Sequence, residues 1–172
     1  STWQTLAGYI NGEYQLKPNL TLLSGIRYSQ VWVDATFETT YYPFPFEEAD
    51  IVTGALTGSL GLSWFPRSDL QVTLNGSTGF RAPNIDDIGK IFDSEPGSVV
   101  VPNPDLEPEY AYNGELGLRK NFNDVLVLKS AAYYTYLVDA LVRRDFSFGG
   151  QTEIEYNGEP SNVQAIQNAA KA

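Results

Sequence analysis

The chain has 172 residues, a formal net charge of −10, and neither Cys nor His. The acidic balance argues against a nucleic-acid partner, whose phosphates call for Lys and Arg. The missing Cys and His remove disulfides, thiol nucleophiles, Ser-His catalysis and the usual zinc ligands together, and no stretch approaches the ~18 uninterrupted apolar residues of a membrane helix.

Period-two alternation, the mark of a strand with two different faces, dominates the chain. In residues 3–16, Leu6, Ile10, Tyr14 and Leu16 share one face against Thr5, Ala7, Asn11 and Glu13. Lys17, Pro18 and Asn19 make a short turn, with Pro fixing φ. Residues 20–36 set Leu20, Leu22, Ile26, Tyr28 and Trp32 against Thr21, Gly25, Arg27 and Ser29. A longer loop over 37–50 carries Tyr41, Tyr42, Phe44 and Phe46, then Glu47 and Glu48. Residues 51–65 alternate most clearly, Val52, Leu56, Leu60, Leu62 and Trp64 against Thr53, Ala55, Thr57, Ser59, Gly61 and Ser63. After the turn at Pro66 to Asp69, residues 70–81 continue with Leu70, Val72, Leu74 and Phe80 on one side.

Residues 79–109 then form one long loop. Within it, Asn84 and Asp87 resemble a capping box, and Ile85, Ile88 and Phe92 suggest one or two helical turns. A loop of this length in a compact domain is functional, disordered or misassigned; it is read as functional. Strand patterns resume over 110–120 and 125–142, joined by Asn121 to Asp124. Residues 152–156 look extended, Asn157-Gly158 is a turn pair, and 163–172 begin a further strand, although propensity alone also fits a helix there. Ser1 opens in mid-pattern and the last strand is still developing at Ala172, which reads as a piece of something longer.

Connections alternate short and long. In an antiparallel meander this gathers the short turns at one rim and the long loops at the other, the layout of transmembrane β-barrels. The strands meet the ~9–11 residues that cross a bilayer. One face is apolar, with Tyr14, Trp32, Trp64, Phe80 and Tyr134 near its ends; the other is small, polar and sometimes charged. The expected fold class is therefore all-β, an antiparallel meander forming part of a large transmembrane barrel, with residues 1–172 as a partial barrel domain of about six to eight strands. A soluble β-sandwich binding module also alternates and stays open at this point.

Two motifs add to this. Phe80-Arg81-Ala82-Pro83, followed by Asn103-Pro104-Asp105-Leu106 and Pro108-Glu109, resembles the paired "FRAP" and "NPxL" boxes of TonB-dependent outer-membrane receptors, in the heme/hemoglobin and siderophore branches. Asn168-Ala169-Ala170-Lys171-Ala172 resembles a later strand start in the same family. The resemblance implies a 22-stranded barrel occluded by a plug, in the bacterial outer membrane. Its partners would be the lipid bilayer, the remaining barrel and plug segments, the TonB complex acting through the plug, and a small-molecule ligand. It implies active uptake without bond chemistry and no resident cofactor or metal. In the heme branch a His between the boxes ligates heme. Between Pro83 and Asn103 this chain has no His, Tyr, Met or Cys, which puts heme in question and keeps ferric siderophore, cobalamin and glycan uptake open.

Candidate ligand contacts are Arg81, Asp86, Asp87, Tyr41, Tyr42, Phe44 and Phe46. Each has a plainer reading. Arg81 suits a structural ion pair with Asp86 or Asp87. Asp86, Asp87, Asp93 and Glu95 suit a helix cap and a solvated face better than a Ca²⁺ cage. The aromatics suit loop packing or an interfacial girdle. The Pro and Asn of the second box suit the turn before the strand over 110–120. A surface adhesin or structural outer-membrane barrel is the competing function; a glycosidase lacks a readable carboxylate pair.

Overall fold

The computed structural model describes residues 1–36, 48–89, 92–95, 97–103 and 105–171. Tyr41, Tyr42, Phe44, Phe46 and Pro104 lie outside the described residues, as do the side chains of Asp93 and Glu95. The elements are β1 (Thr2–Lys17), β2 (Leu20–Thr36), β3 (Glu48–Arg67), β4 (Leu70–Arg81), α1 (Ile85–Gly89), β5 (Phe92–Glu95), β6 (Ser98–Val101), β7 (Glu109–Phe122), β8 (Leu126–Asp145), β9 (Glu153–Tyr156) and β10 (Glu159–Lys171). They form one ten-stranded sheet in the order β1-β2-β3-β4-β7-β8-β10-β6-β5, with β9 paired to β10. The sheet is open, and no second sheet packs on it among the described residues. This is the barrel arc and not the sandwich.

The long strands run from 12 residues in β4 to 20 in β3 and β8, ample for a tilted bilayer crossing. Register holds the alternation across them. Tyr14, Leu22, Leu62, Leu74, Leu116 and Ala132 form one cross-strand row from β1 to β8. On the opposite face, Asn11, Gly25, Ser59, Ser77, Asn113 and Thr135 form another, and the Thr135 hydroxyl donates to Asn113 Oδ1 at 2.7 Å. The apolar face is bare: Val52, Leu56 and Leu60 are 69%, 61% and 59% exposed. A water-soluble domain would bury such side chains at ~25 cal/mol per Å². Among the described residues nothing packs on them, which makes this the kind of exposed apolar face that meets lipid or another protein. Among the described residues no helix is long and apolar enough to cross a membrane.

The short turns interlock sideways. Asn19 and Phe65 exchange bonds, Phe65 N–H to Asn19 O at 2.8 Å and Asn19 Nδ2 to Phe65 O at 3.0 Å. Asn121 N–H donates to Asp69 O at 2.8 Å, and Asp69 pairs with Lys120 and, at 3.6 Å, with Arg67. The Lys120 ammonium beside it holds the Asp69 carboxyl below its ordinary value. Asn123 and Asp124 both take positive φ (52° and 58°), as do Asn157 and Gly158 (53° and 83°), the two-residue geometry whose twist suits a hairpin.

The C-terminal segment is strand, not helix, and starts at Glu159, earlier than its alternation shows. The long loop departs most from expectation. Among its described residues only Ile85–Gly89 is helical; Phe92 opens β5, and β5 and β6 make a hairpin whose β6 joins β10 in parallel, Asn162 to Ser98 through Ala165 to Val101.

Exchanging Leu60 for Arg is expected to lower the stability of the lipid-embedded barrel by about 2–4 kcal/mol, whereas Gln15→Arg on the opposite face stays within about 0.5 kcal/mol. Denaturant unfolding in lipid vesicles, read by heat-modifiable gel mobility, checks this; equal losses at the two sites would reverse the assignment of faces.

Candidate functional site

Beyond Ser59 and Ser77 the β3–β4 ladder stops. The Thr78 hydroxyl closes its end, accepting from Gly58 N–H at 2.9 Å and donating to Gly58 O at 3.5 Å. From there β4 stays with β7 up to Arg81 and Glu109, while β3 stays with β2 up to Glu48. The insertion between β4 and β7 fills the polar face where the two halves part.

The first box starts the insertion. Arg81 Nη2 donates to Asp87 Oδ2 at 2.8 Å. The same oxygen accepts Asn84 N–H at 3.1 Å, and Asn84 Oδ1 accepts Asp87 N–H at 2.8 Å. This reciprocal cap satisfies donors that a helix start leaves unpaired. Pro83 is fully buried just ahead of it, and Ile88, 0% exposed, points from α1 into a core with Val31, Val33, Ala35, Ile51 and Leu106. Phe80 and Ala82 pack on that core, and the Phe80 ring sits 6.3 Å from Tyr110. Arg81 and Asp87 are thus brought together as a structural pair, while Asp86 remains exposed.

The second box ends it. Asn103 does more than shape a turn: its Oδ1 accepts Asp105 N–H at 3.2 Å, and its Nδ2 donates to Ile166 O of β10 at 2.8 Å. Leu106 is buried in the core of Ile88, and Glu109 Oε2 accepts Leu141 N–H of β8 at 2.9 Å. Asn168 of β10 completes the bracket. Its Oδ1 accepts Glu107 N–H, and its Nδ2 donates to Glu107 O and Asp139 O, each at 2.8 Å. The hairpin is seated by a second core of Val99, Val101, Ile154, Val163 and Ala165.

Three features escape sequence reasoning. Val31, Val33 and Ala35 lie on the polar face yet are buried; the signal was the apolar run at those odd positions, opposite Gln30 and the exposed Asp34. Tyr9 and Tyr133 break the polar face with exposed rings. Asn168, part of the later strand motif, acts at long range. Below the insertion, a depression of about 420 Å³ includes Trp3, Thr5, Arg27, Ser29, Thr57 and Phe80. Arg27 Nε donates to the Ser29 hydroxyl at 2.9 Å, and no carboxylate among the described residues pairs with its guanidinium. Among the described residues no group of three or more acidic side chains could hold a metal ion.

The profile of the family described as "TonB dependent receptor-like, beta-barrel" matches residues 2–172. Among curated proteins of Haemophilus influenzae, the probable hemoglobin and hemoglobin-haptoglobin-binding protein 4 is 38% identical over 60 residues, 35% of this chain and 6% of that protein. Hemoglobin-binding protein A is 31% identical over 97 residues, 56% of this chain and 9% of that protein. Among solved structures, the Serratia marcescens hemophore receptor HasR aligns with 99% of the chain and 30% of its own, with a TM-score of 0.76 and 19% identity. The Pseudomonas aeruginosa siderophore receptor PirA aligns with 99% and 29%, at 0.73 and 19%. At that identity the structures speak for the fold alone.

Truncating Ile88 to Ala is expected to cost about 2–5 kcal/mol of local packing and to open residues 82–108 to protease while β1–β4 stay protected. Unchanged cleavage would show that α1 does not anchor the insertion.

Proposed function

The chain belongs to the TonB-dependent receptor β-barrel family, and from this we propose that it forms one arc of an outer-membrane receptor importing a scarce iron-bearing ligand, heme or a ferric siderophore. Residues 1–172 serve as a partial barrel domain. The observation that carries the reading is the pair of opposed rows, apolar on one face and polar on the other, kept in register from β1 to β8. The apolar face meets lipid; the polar face lines a lumen that the plug occupies and the TonB complex acts on. The rim of long connections is extracellular and the rim of short turns periplasmic. The role is binding and passage, without bond chemistry.

The two Haemophilus influenzae relatives are named for hemoglobin binding, one as probable, which favours heme iron as cargo. Between Pro83 and Asn103 the insertion offers heme no His, Tyr, Met or Cys. Its part is therefore to shape the mouth, and any axial ligand comes from elsewhere. Arg81 and Asp87 keep the insertion folded, Asp86 faces the ligand side, and Tyr41, Tyr42, Phe44 and Phe46 supply ring contacts to cargo or its protein carrier. Arg27, beside Trp3 and Phe80 in the depression below, is the cation placed to meet an anionic group such as a carboxylate.

A strain lacking the full receptor gene, grown on hemin, hemoglobin or a ferric siderophore as sole iron source, is expected to fail on at least one and to be restored by the intact gene; equal growth on all three would overturn the reading. In the restored strain, Arg27→Ala is expected to weaken uptake of that source about tenfold at low concentration, the loss of one charge-assisted hydrogen bond.

A further inference from the structure

We infer that Asn168 is the positioning residue of the insertion, its side-chain amide standing in for a neighbouring strand to hold Glu107 across β8. In the sheet β8 lies between β7 and β10, so backbone pairing cannot join β10 to the segment that leads into β7. The Asn168 amide spans that gap. It takes both backbone groups of Glu107, N–H and C=O, at 2.8 Å, as a ladder partner would.

Two other features make the reach work. Asp139, within β8, has φ of 54°, a left-handed backbone that Asp and Asn tolerate and β-branched residues do not, and its carbonyl accepts the second Asn168 N–H bond. Glu109 meanwhile takes Leu141 N–H, so the stretch of β8 beyond the end of β7 is still partnered. Asn103 mirrors the arrangement, donating from the insertion to Ile166 O of β10. Each side lends an Asn to the other's backbone. Loss of Asn168 would leave Glu107 without either partner and Asp139 O without its donor, while the barrel ladders stay as they are.

That this latch sets ligand affinity rests on the transport reading; that it holds residues 82–108 does not. The test uses the full receptor in micelles, with amide hydrogen exchange and hemin titration read on the same samples. Asn168→Ala is expected to speed exchange about tenfold in peptides spanning 105–109 and 139–141, the net loss of roughly one to two hydrogen bonds, and to raise half-saturation by hemin without lowering capacity. Asn168→Asp keeps one acceptor, loses both donors and sets a carboxylate against two carbonyls, so it should be no better than Ala. Asp139→Gly should match the wild type, Asp139→Val should match Asn168→Ala, and the double variant Asp139→Val/Asn168→Ala should be no worse than the worse single one. Should Asn168→Ala fail to assemble, Glu107→Pro removes one of the same bonds without touching β10 and should loosen the same peptides. Wild-type exchange in Asn168→Ala or Glu107→Pro, or additive effects in the double variant, would overturn the latch. A wild-type receptor that ignores hemin, with exchange altered as described, would sink the heme reading and leave the latch standing.

Discussion

Two-residue alternation, kept in register through the middle of six neighbouring strands, is the constraint on which this molecule depends. A slip of one residue in any pair would turn every side chain of that strand to the other face. The row from Tyr14 to Ala132 would then present Glu13, Asn75 and Glu115 to lipid, and the polar side would receive Leu60, Leu62 and Leu74. Hydrocarbon supplies no hydrogen bonds, so backbone groups must pair between strands and the side chains must sort by solvent. The interlocked short turns, with Asn19 on Phe65 and Asp69 on Asn121 and Lys120, fix that register from one end.

At the other end the constraint relaxes. Once β3 and β4 part beyond Gly58 and Thr78, the polar face gains Val31, Val33, Ala35 and Ile51, and a small water-excluding core forms there under α1. The insertion is thus folded structure with its own buried centre and its own hydrogen-bonded anchors. The paired boxes make physical sense as its two ends. Arg81 and Asp87 cap its first helix, and Asn103, Leu106 and Glu109 tie its return to β8 and β10. Under the proposed transport role such bracing would favour binding, because ordering a loose loop on binding subtracts from affinity.

Much of this was legible in the residues. Alternation fixed the faces of β1–β4, β7 and β8, Pro18, Asn123-Asp124 and Asn157-Gly158 marked the turns, and Asn84 with Asp87 marked the helix start. What stayed hidden was non-local. Ser98 to Val101 is too short and too uniformly apolar to declare itself a strand, and it pairs with β5 on one side and with β10, more than sixty positions later, on the other. Asn168 reads as a polar residue in a strand until β8 is seen to lie between its own backbone and Glu107. Arg81, by its place on the polar side, suits both a ligand contact and a structural pair with Asp86 or Asp87, and its pairing with Asp87 at 2.8 Å fits the second. Arg27, given no role by its position in the alternation, is the cation that the fold leaves beside a depression.

The parallel seam between β6 and β10 bears on the order of folding. The hairpins β1–β2, β3–β4 and β7–β8 close over turns of a few residues, so little chain entropy opposes them. Asn162 can meet Ser98 only after everything between them has been made and placed, and contacts so distant along the chain form slowly. On that ground the β5–β6 hairpin is expected to dock after the local hairpins have closed, and damage confined to β6 to unseat it while leaving those hairpins paired.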